Sequence, residues 1–305
     1  MTLTLTGENK FALNEKLKEI KNKFLKKNKT AQIQILNGSK IELEDLKIEL
    51  SSLSLFSPER LIIIDQPSLI KNFKEEVEQI LVGLGSDLTL IILEDSLDKR
   101  SSYYKYLFSK TTYLEFKILD INALTDWIID YTEKKAATIN IADARYLIDR
   151  IGFDQYALLN ELNKLILYNQ VISRKSIELL SDASITSTVF DLIDSAFNGR
   201  YRQALNLYKE QRIKNVAPEM ILAMFGWQLN ILALVKSWSP KYGPINAATN
   251  LNPYSVTKAQ ALVTKLSFIQ LRSIISKLHE GDLKSKTVSF SLDDFLQNLL
   301  LEMAL

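Results

Sequence analysis

No cysteine occurs among the 305 residues, which excludes disulfides, thiolate metal sites and thiol catalysis. Histidine is almost as scarce. His279 stands alone, so neither a histidine-based metal cluster nor a relay through two imidazoles is available. Its Lys-Leu-His-Glu-Gly setting predicts the last turn of a helix, where partial positive charge is favourable. Neither sign of charge dominates: 38 Lys and Arg against 36 Asp and Glu leave a net charge of +2, so any contact with nucleic acid or membrane must come from a local patch. A membrane-spanning run is also lacking. The longest apolar window, 216–235, contains Glu219, Gln228 and Asn230 and reads as a buried helix. The opening Met1-Thr-Leu-Thr-Leu-Thr-Gly7 alternates like a strand, without the charged and apolar regions of a signal peptide. A soluble, cytoplasmic protein is expected. The remainder, 47% apolar and 24% charged with nine glycines and six prolines, is ordinary globular material for two or three domains.

Patterning divides the chain in three. Up to about residue 120, strands expected at 2–6, 31–36, 60–65, 88–94 and 112–116 alternate with helices at 14–29, 42–51, 73–84 and 103–109. The stretches 60–65 and 88–94 carry continuous β-branched and Leu runs, as in strands covered on both faces of a parallel sheet. This is α/β patterning with right-handed crossovers. From Ala123 onward only helices are expected: 123–134, 141–150, 154–168, 173–181, 188–198, 200–212, 217–238, 255–280 and 291–304. The loop 239–253 is rich in Pro, Gly and Asn. The predicted division is an α/β domain over 1–121, a small helical domain over 122–184 and a helical C-terminal domain over 185–305.

Two stretches bear on function. The first is Leu53-Ser54-Leu55-Phe56-Ser57-Pro58, between the helix at 42–51 and the strand at 60–65. Ser57-Pro58 forces a turn, because proline fixes φ and biases the preceding residue away from helix. Leu55 and Phe56 are thus carried to the tip of a connection. They read either as a plug offered to a partner or as a small satellite core folded under the loop. The second stretch follows the first strand, where a nucleotide-binding α/β domain needs G-x-x-x-x-G-K-[ST] so that amides wrap the phosphates, Lys reaches them and a hydroxyl holds magnesium. Gly7 is in register, but Ala12, Leu13 and Asn14 stand at the second Gly, the Lys and the Ser/Thr positions. Asp65-Gln66 stands where an active ATPase places an Asp-Glu pair. Glu94-Asp95 is a better carboxylate pair, and without a phosphate cradle it reads as a solvated strand end. Productive ATP binding is therefore not expected, and no cofactor or metal is implied.

These residues, taken in order, resemble the delta-subunit family of the bacterial DNA polymerase III clamp loader. The resemblance runs along Leu5-Thr-Gly7-Glu8-Asn-Lys-Phe11, Ser54-Leu55-Phe56, Arg60-Leu-Ile-Ile-Ile64, Leu90-Ile-Ile-Leu93 and Asp98-Lys99-Arg100. It continues through Leu124, Trp127-Ile128, Gly152, Asn160-Glu161-Leu162-Asn163-Lys164-Leu165 and Gly281-Asp282-Leu-Lys284-Ser-Lys286. It implies an AAA+/RecA-like N-terminal parallel-sheet domain, a helical lid and a helical C-terminal collar, together catalytically silent. Leu53, Ser54, Leu55 and Phe56 would enter a pocket on the sliding clamp and help open it. ATPase and delta-prime-like loader subunits would be partners, and primer–template DNA would be met through the complex. Pro58 stiffens the turn where relatives carry a small or basic residue.

The remaining motifs have plainer readings. Trp127, Trp227 and Trp238 sit at helical spacing and read as core. The segment 225–235 fits either subunit packing or intramolecular core. Asn160, Glu161 and Lys164 fit an exposed ion pair. The seven lysines within 16–29, interleaved with Glu19, read as a solvated helix face. Arg200, Arg202, Arg212 and Lys214 form the denser basic group and are the candidate contact with duplex backbone. An active AAA+ ATPase, a helical DNA-binding protein and a scaffold without a replication role remain the rival readings.

Overall fold

The computed structural model describes residues 1–27, 32–51, 59–85, 87–239, 241, 245 and 253–304, in two compact units, Met1–Leu119 and Asp120–Leu305.

In the first unit five strands form one parallel sheet in the order β2-β3-β4-β1-β5. They are β1 (Thr2–Thr6), β2 (Gln32–Asn37), β3 (Arg60–Asp65), β4 (Leu88–Glu94) and β5 (Thr112–Glu115). The crossovers are α1 (Lys10–Lys27), α2 (Leu43–Ser51), α3 (Phe73–Val82) and α4 (Ser102–Lys110), with a 3-10 turn at Pro67–Leu69. Strand alternation sorts the side chains into two layers. Ile62, Ile64, Leu90 and Ile92 pack on Leu46, Phe73 and Leu107, whereas Leu61, Ile63 and Ile91 pack with Leu3, Leu5 and Leu13. Both faces of β3 and β4 are thus buried, which is why 61–64 and 90–93 are apolar without alternation. Each fully buried Leu or Ile contributes about 1.5–3 kcal/mol.

The second unit contains α5 (Ile121–Lys134), β6 (Thr138–Ile139), α6 (Ile141–Ile151), α7 (Gln155–Tyr168), β7 (Val171–Ile172) and α8 (Arg174–Leu180). It continues with α9 (Ile185–Phe197), α10 (Tyr201–Ile213), α11 (Pro218–Ser237), α12 (Pro253–Val263), α13 (Phe268–Thr287) and α14 (Leu292–Ala304). Side-chain oxygens of Asp120, Asn140, Asp154, Ser173, Ser184 and Ser267 each accept an amide hydrogen bond at a helix start, so boundaries follow the capping residues.

Three expectations are corrected here. The region after Ala123 is not purely helical, because β6 and β7 pair in parallel, Thr138 with Val171 and Ile139 with Ile172. The stretch 255–280 is two helices. Ser267 opens α13 with a capping box to Gln270, which stops α12 at Val263. His279 therefore lies inside α13, not in its last turn, and the helix runs on to Thr287. It does so through Gly281, where a Cβ would overlap the Phe295 ring of α14.

The hydrophobic cluster over 189–303 draws Val189 and Ile193 of α9, Phe225, Leu229 and Leu232 of α11, and Leu296 and Leu300 of α14. Helix α11 is long and apolar enough to cross a membrane by length and composition, yet these three residues are core. Trp227, expected in the core, is 45% exposed on the opposite face of α11, and Trp127 is half-buried and stacked on Tyr131.

Candidate functional site

Leu53, Ser54, Leu55 and Phe56, with Pro58, lie outside the described residues; their flanks are described. On one side α2 ends at Ser51, anchored by Leu46 and Leu50 in the core. On the other, Arg60 opens β3 and is only 6% exposed. Its Nη2 donates to the Glu49 carbonyl at 2.9 Å, tying the strand that leaves the connection to the last turn of the helix that enters it. A buried guanidinium held in this way fixes both ends of the loop at one place. Ile48 of α2 is exposed beside it.

The turn between β1 and α1 is short and fully committed to backbone packing. Gly7 has φ +129°, and a Cβ there would overlap the Phe116 carbonyl oxygen. The Asn9 amide donates to that oxygen at 3.0 Å. The Asn9 side chain caps α1, accepting from the Ala12 amide at 3.0 Å, and the Leu13 amide is taken by the Asn9 carbonyl. Ala12, Leu13 and Asn14 thus lie within the first turns of α1, and the Leu13 side chain is 5% exposed against Leu3, Leu5 and Ile63. The amides that would wrap a phosphate are bonded within the chain, and the position for its lysine is filled by core.

The carboxylates at the ends of β3 and β4 diverge. Glu94, expected at a solvated strand end, is 3% exposed. It accepts from the Ser68 amide at 2.9 Å, the Ser68 hydroxyl at 2.7 Å and the Tyr103 hydroxyl at 2.8 Å. Burial pushes its pKa up against these three hydrogen bonds. Asp95 is exposed and receives Lys10 and Gln66. One carboxyl ties the 3-10 turn and α4 to β4; its neighbour holds the start of α1. Sequence spacing gave no sign of this division, because burial is not visible in an adjacent pair. Among the described residues no group of three or more His, Asp or Glu could hold a metal ion.

The four cations proposed for duplex contact do not form one patch. Arg200 precedes α10 and reaches Asp194 at 2.7 Å. At the other end of that helix Arg212 holds Asp293 of α14 with Nε at 2.7 Å and Nη2 at 3.0 Å, and donates Nη1 to the Val216 carbonyl at 2.6 Å. Lys214 meets Asp182 at 2.6 Å. Arg202 is exposed on the same helix. With about 1.5 Å of rise per residue, Arg200 and Lys214 stand roughly 20 Å apart. Three of the four are thus structural pairs. In the preceding helices Glu161 pairs with Lys164 at 2.7 Å, as its spacing suggested, and also accepts from Ser181.

Taken together, a doubly covered parallel sheet, a first turn without the residues of a phosphate loop and a mostly helical second unit define the class: an α/β chain of nucleotide-binding type that departs from the phosphate-loop motif. Residues 3–117 match the family described as DNA polymerase III, delta subunit, and residues 186–303 match the family described as DNA polymerase III delta subunit, C-terminal domain. The chain belongs to the DNA polymerase III delta-subunit family. It is 22% identical to DNA polymerase III subunit delta of Bacillus subtilis over 301 residues, 93% of this chain and 87% of that protein. A solved DNA clamp loader delta protein of Bacillus subtilis superposes with a TM-score of 0.80 at 19% identity, covering 99% of this chain and 95% of that one, and so shares its fold.

Proposed function

We propose that this chain is the clamp-loader subunit that binds the ring-shaped sliding clamp in DNA replication and helps to open it, without ATPase or polymerase activity of its own. The observation that carries the reading is that delta-subunit matches occupy both 3–117 and 186–303, which together span most of the chain. In this reading Leu53, Ser54, Leu55 and Phe56 form the contact that enters a clamp pocket, and Ile48, exposed on α2, is a candidate second contact. Burying a Leu and a Phe contributes roughly 1.5–3 kcal/mol each. Ordering a floppy loop would consume much of that gain, so the Arg60–Glu49 tie at its base supports the assignment. Opening the ring requires only that the subunit hold the open edge better than the closed one.

The absence of ATPase activity is supported by Leu13 in the core and by the engaged amides of Ala12 and Leu13. The function further implies a cytoplasmic hetero-oligomer with ATPase and delta-prime-like subunits, in three domains over 1–121, 122–184 and 185–305. The last would serve as the collar, and primer–template DNA would be met through the complex, with Arg202 the most available of the four candidate cations. Gel filtration with the cognate clamp tests this reading. The chain is expected to co-elute with the clamp in the absence of nucleotide and to show no ATP binding by equilibrium dialysis. ATP held at micromolar affinity would make it a motor subunit instead, and failure to co-elute would remove the clamp-binding role.

A further inference from the structure

Three aromatic rings at the β5 edge of the first unit are unused by the clamp contact. Tyr104 and Phe108, one turn apart on α4, stack with centroids 5.7 Å apart and planes 20° from parallel. Tyr113 of β5 meets both edge-on, at 5.6 Å and 5.4 Å. Phe108 is 58% exposed, whereas Leu107 lies on the buried face of α4. The elements carrying the rings are rigid: Tyr103 and Leu107 bury the other face of α4, the Tyr103 hydroxyl is fixed on Glu94, and β5 pairs with β1.

The charge around the rings is one-sided. Between 99 and 117 the chain has five Lys and Arg against one acidic residue, a surplus of four in a protein whose total surplus is two. Lys99 answers Glu115, and Arg100 answers Asp98 just before this stretch. Lys105, Lys110 and Lys117 form no ion pair among the described residues. Lys105 precedes Phe108 by three residues and is its neighbour on the helix surface. One exposed ring, Phe108, backed by the half-buried Tyr104 and Tyr113 and set beside cations without ion pairs among the described residues, suits an unpaired base on a phosphate backbone; duplex DNA hides its base faces, and an apolar protein partner has no use for the lysines.

We propose that Phe108, backed by Tyr104 and Tyr113 and neighboured by Lys105, with Lys110 at the end of the same helix, forms a stacking site for single-stranded DNA, separate from the clamp-binding loop.

The test is fluorescence anisotropy of a labelled oligothymidylate of about 16 nucleotides, enough to cover one such site, with the full-length chain. Binding is expected to weaken as salt rises. Phe108→Ala is expected to weaken it on the order of tenfold, the loss typical of one stacking ring. Phe108→Trp should keep the affinity, and its added emission should be quenched by the oligonucleotide. Lys105→Ala with Lys110→Ala should flatten the salt dependence. All of these variants should bind the clamp as the parent does, so this idea and the clamp reading fail separately. No binding by the parent chain, unchanged affinity in Phe108→Ala, or equal binding of a blunt duplex would each overturn the proposal.

Discussion

Glu94 shows how one buried side chain can organise three elements. Its carboxylate is the common acceptor for Ser68, through amide and hydroxyl, and for Tyr103. Glu94→Ala would leave these donors unanswered in a dry site, and roughly 3 kcal/mol of stability should be lost in urea denaturation. Glu94→Gln keeps the volume and an acceptor and should lose much less. Glu94 and Asp293 titrate with opposite signs. Burial raises the Glu94 pKa, so its contribution is full below the unfolded value of about 4.3 and is lost as pH rises through the folded one. For Asp293, burial alone would raise the pKa, but the hydrogen bonds from Arg212 and Tyr208 outweigh it and hold the carboxyl below the ordinary value. Its contribution is present above about pH 3.9 and is lost as pH falls through the folded value. Acid titration of thermal stability should therefore be shallower in Asp293→Asn than in the parent, and an identical acid limb would show that the Arg212 pair contributes nothing.

At the scale of elements, two glycines decide local geometry. Gly7→Ala would place a Cβ against the Phe116 carbonyl oxygen at a positive φ that side chains rarely adopt. Backbone cannot yield as a side chain can, so a loss of at least about 3 kcal/mol is expected by thermal denaturation. Gly281→Ala gains roughly 1 kcal/mol of helix propensity but drives a methyl into the Phe295 ring. Overpacking of this kind costs about 1–3 kcal/mol, so a smaller net loss is expected there. Most elements were legible in the sequence because their signals are local. The β-branched and Leu runs of β3 and β4 and the amphipathic α3 placed those elements within a few residues. What escaped was tertiary. The two-residue strands β6 and β7 have no period to detect, and the break after Val263 depends on a capping serine inside an otherwise helical pattern.

For the whole molecule, the missing phosphate loop was readable from Ala12, Leu13 and Asn14 because that motif is a strict spacing of residue types. The pairing of Arg200, Arg212 and Lys214 was not readable, since their acids lie 6, 81 and 32 positions away. A cluster of like charges in sequence therefore dissolved into separate structural pairs. The aromatic platform escaped for the same reason, because Tyr113 joins Tyr104 and Phe108 only when β5 is laid beside α4. The first turn, by contrast, joins sequence and fold: the same Leu13 that breaks the motif completes a core layer. Restoring the lysine alone, as Leu13→Lys, should bury a charge and destabilise the first unit by several kcal/mol without conferring ATP binding, as judged by calorimetric titration.

The central claim is that a Leu-Phe loop held at its base by α2 and Arg60 is the clamp contact. Titration of the cognate clamp against the parent chain and the Leu55→Ala, Phe56→Ala double variant tests it most directly. A loss on the order of a hundredfold or more with an unchanged melting temperature is predicted, because removing two binding anchors should weaken binding but not folding. Equal affinities for the two proteins would contradict it.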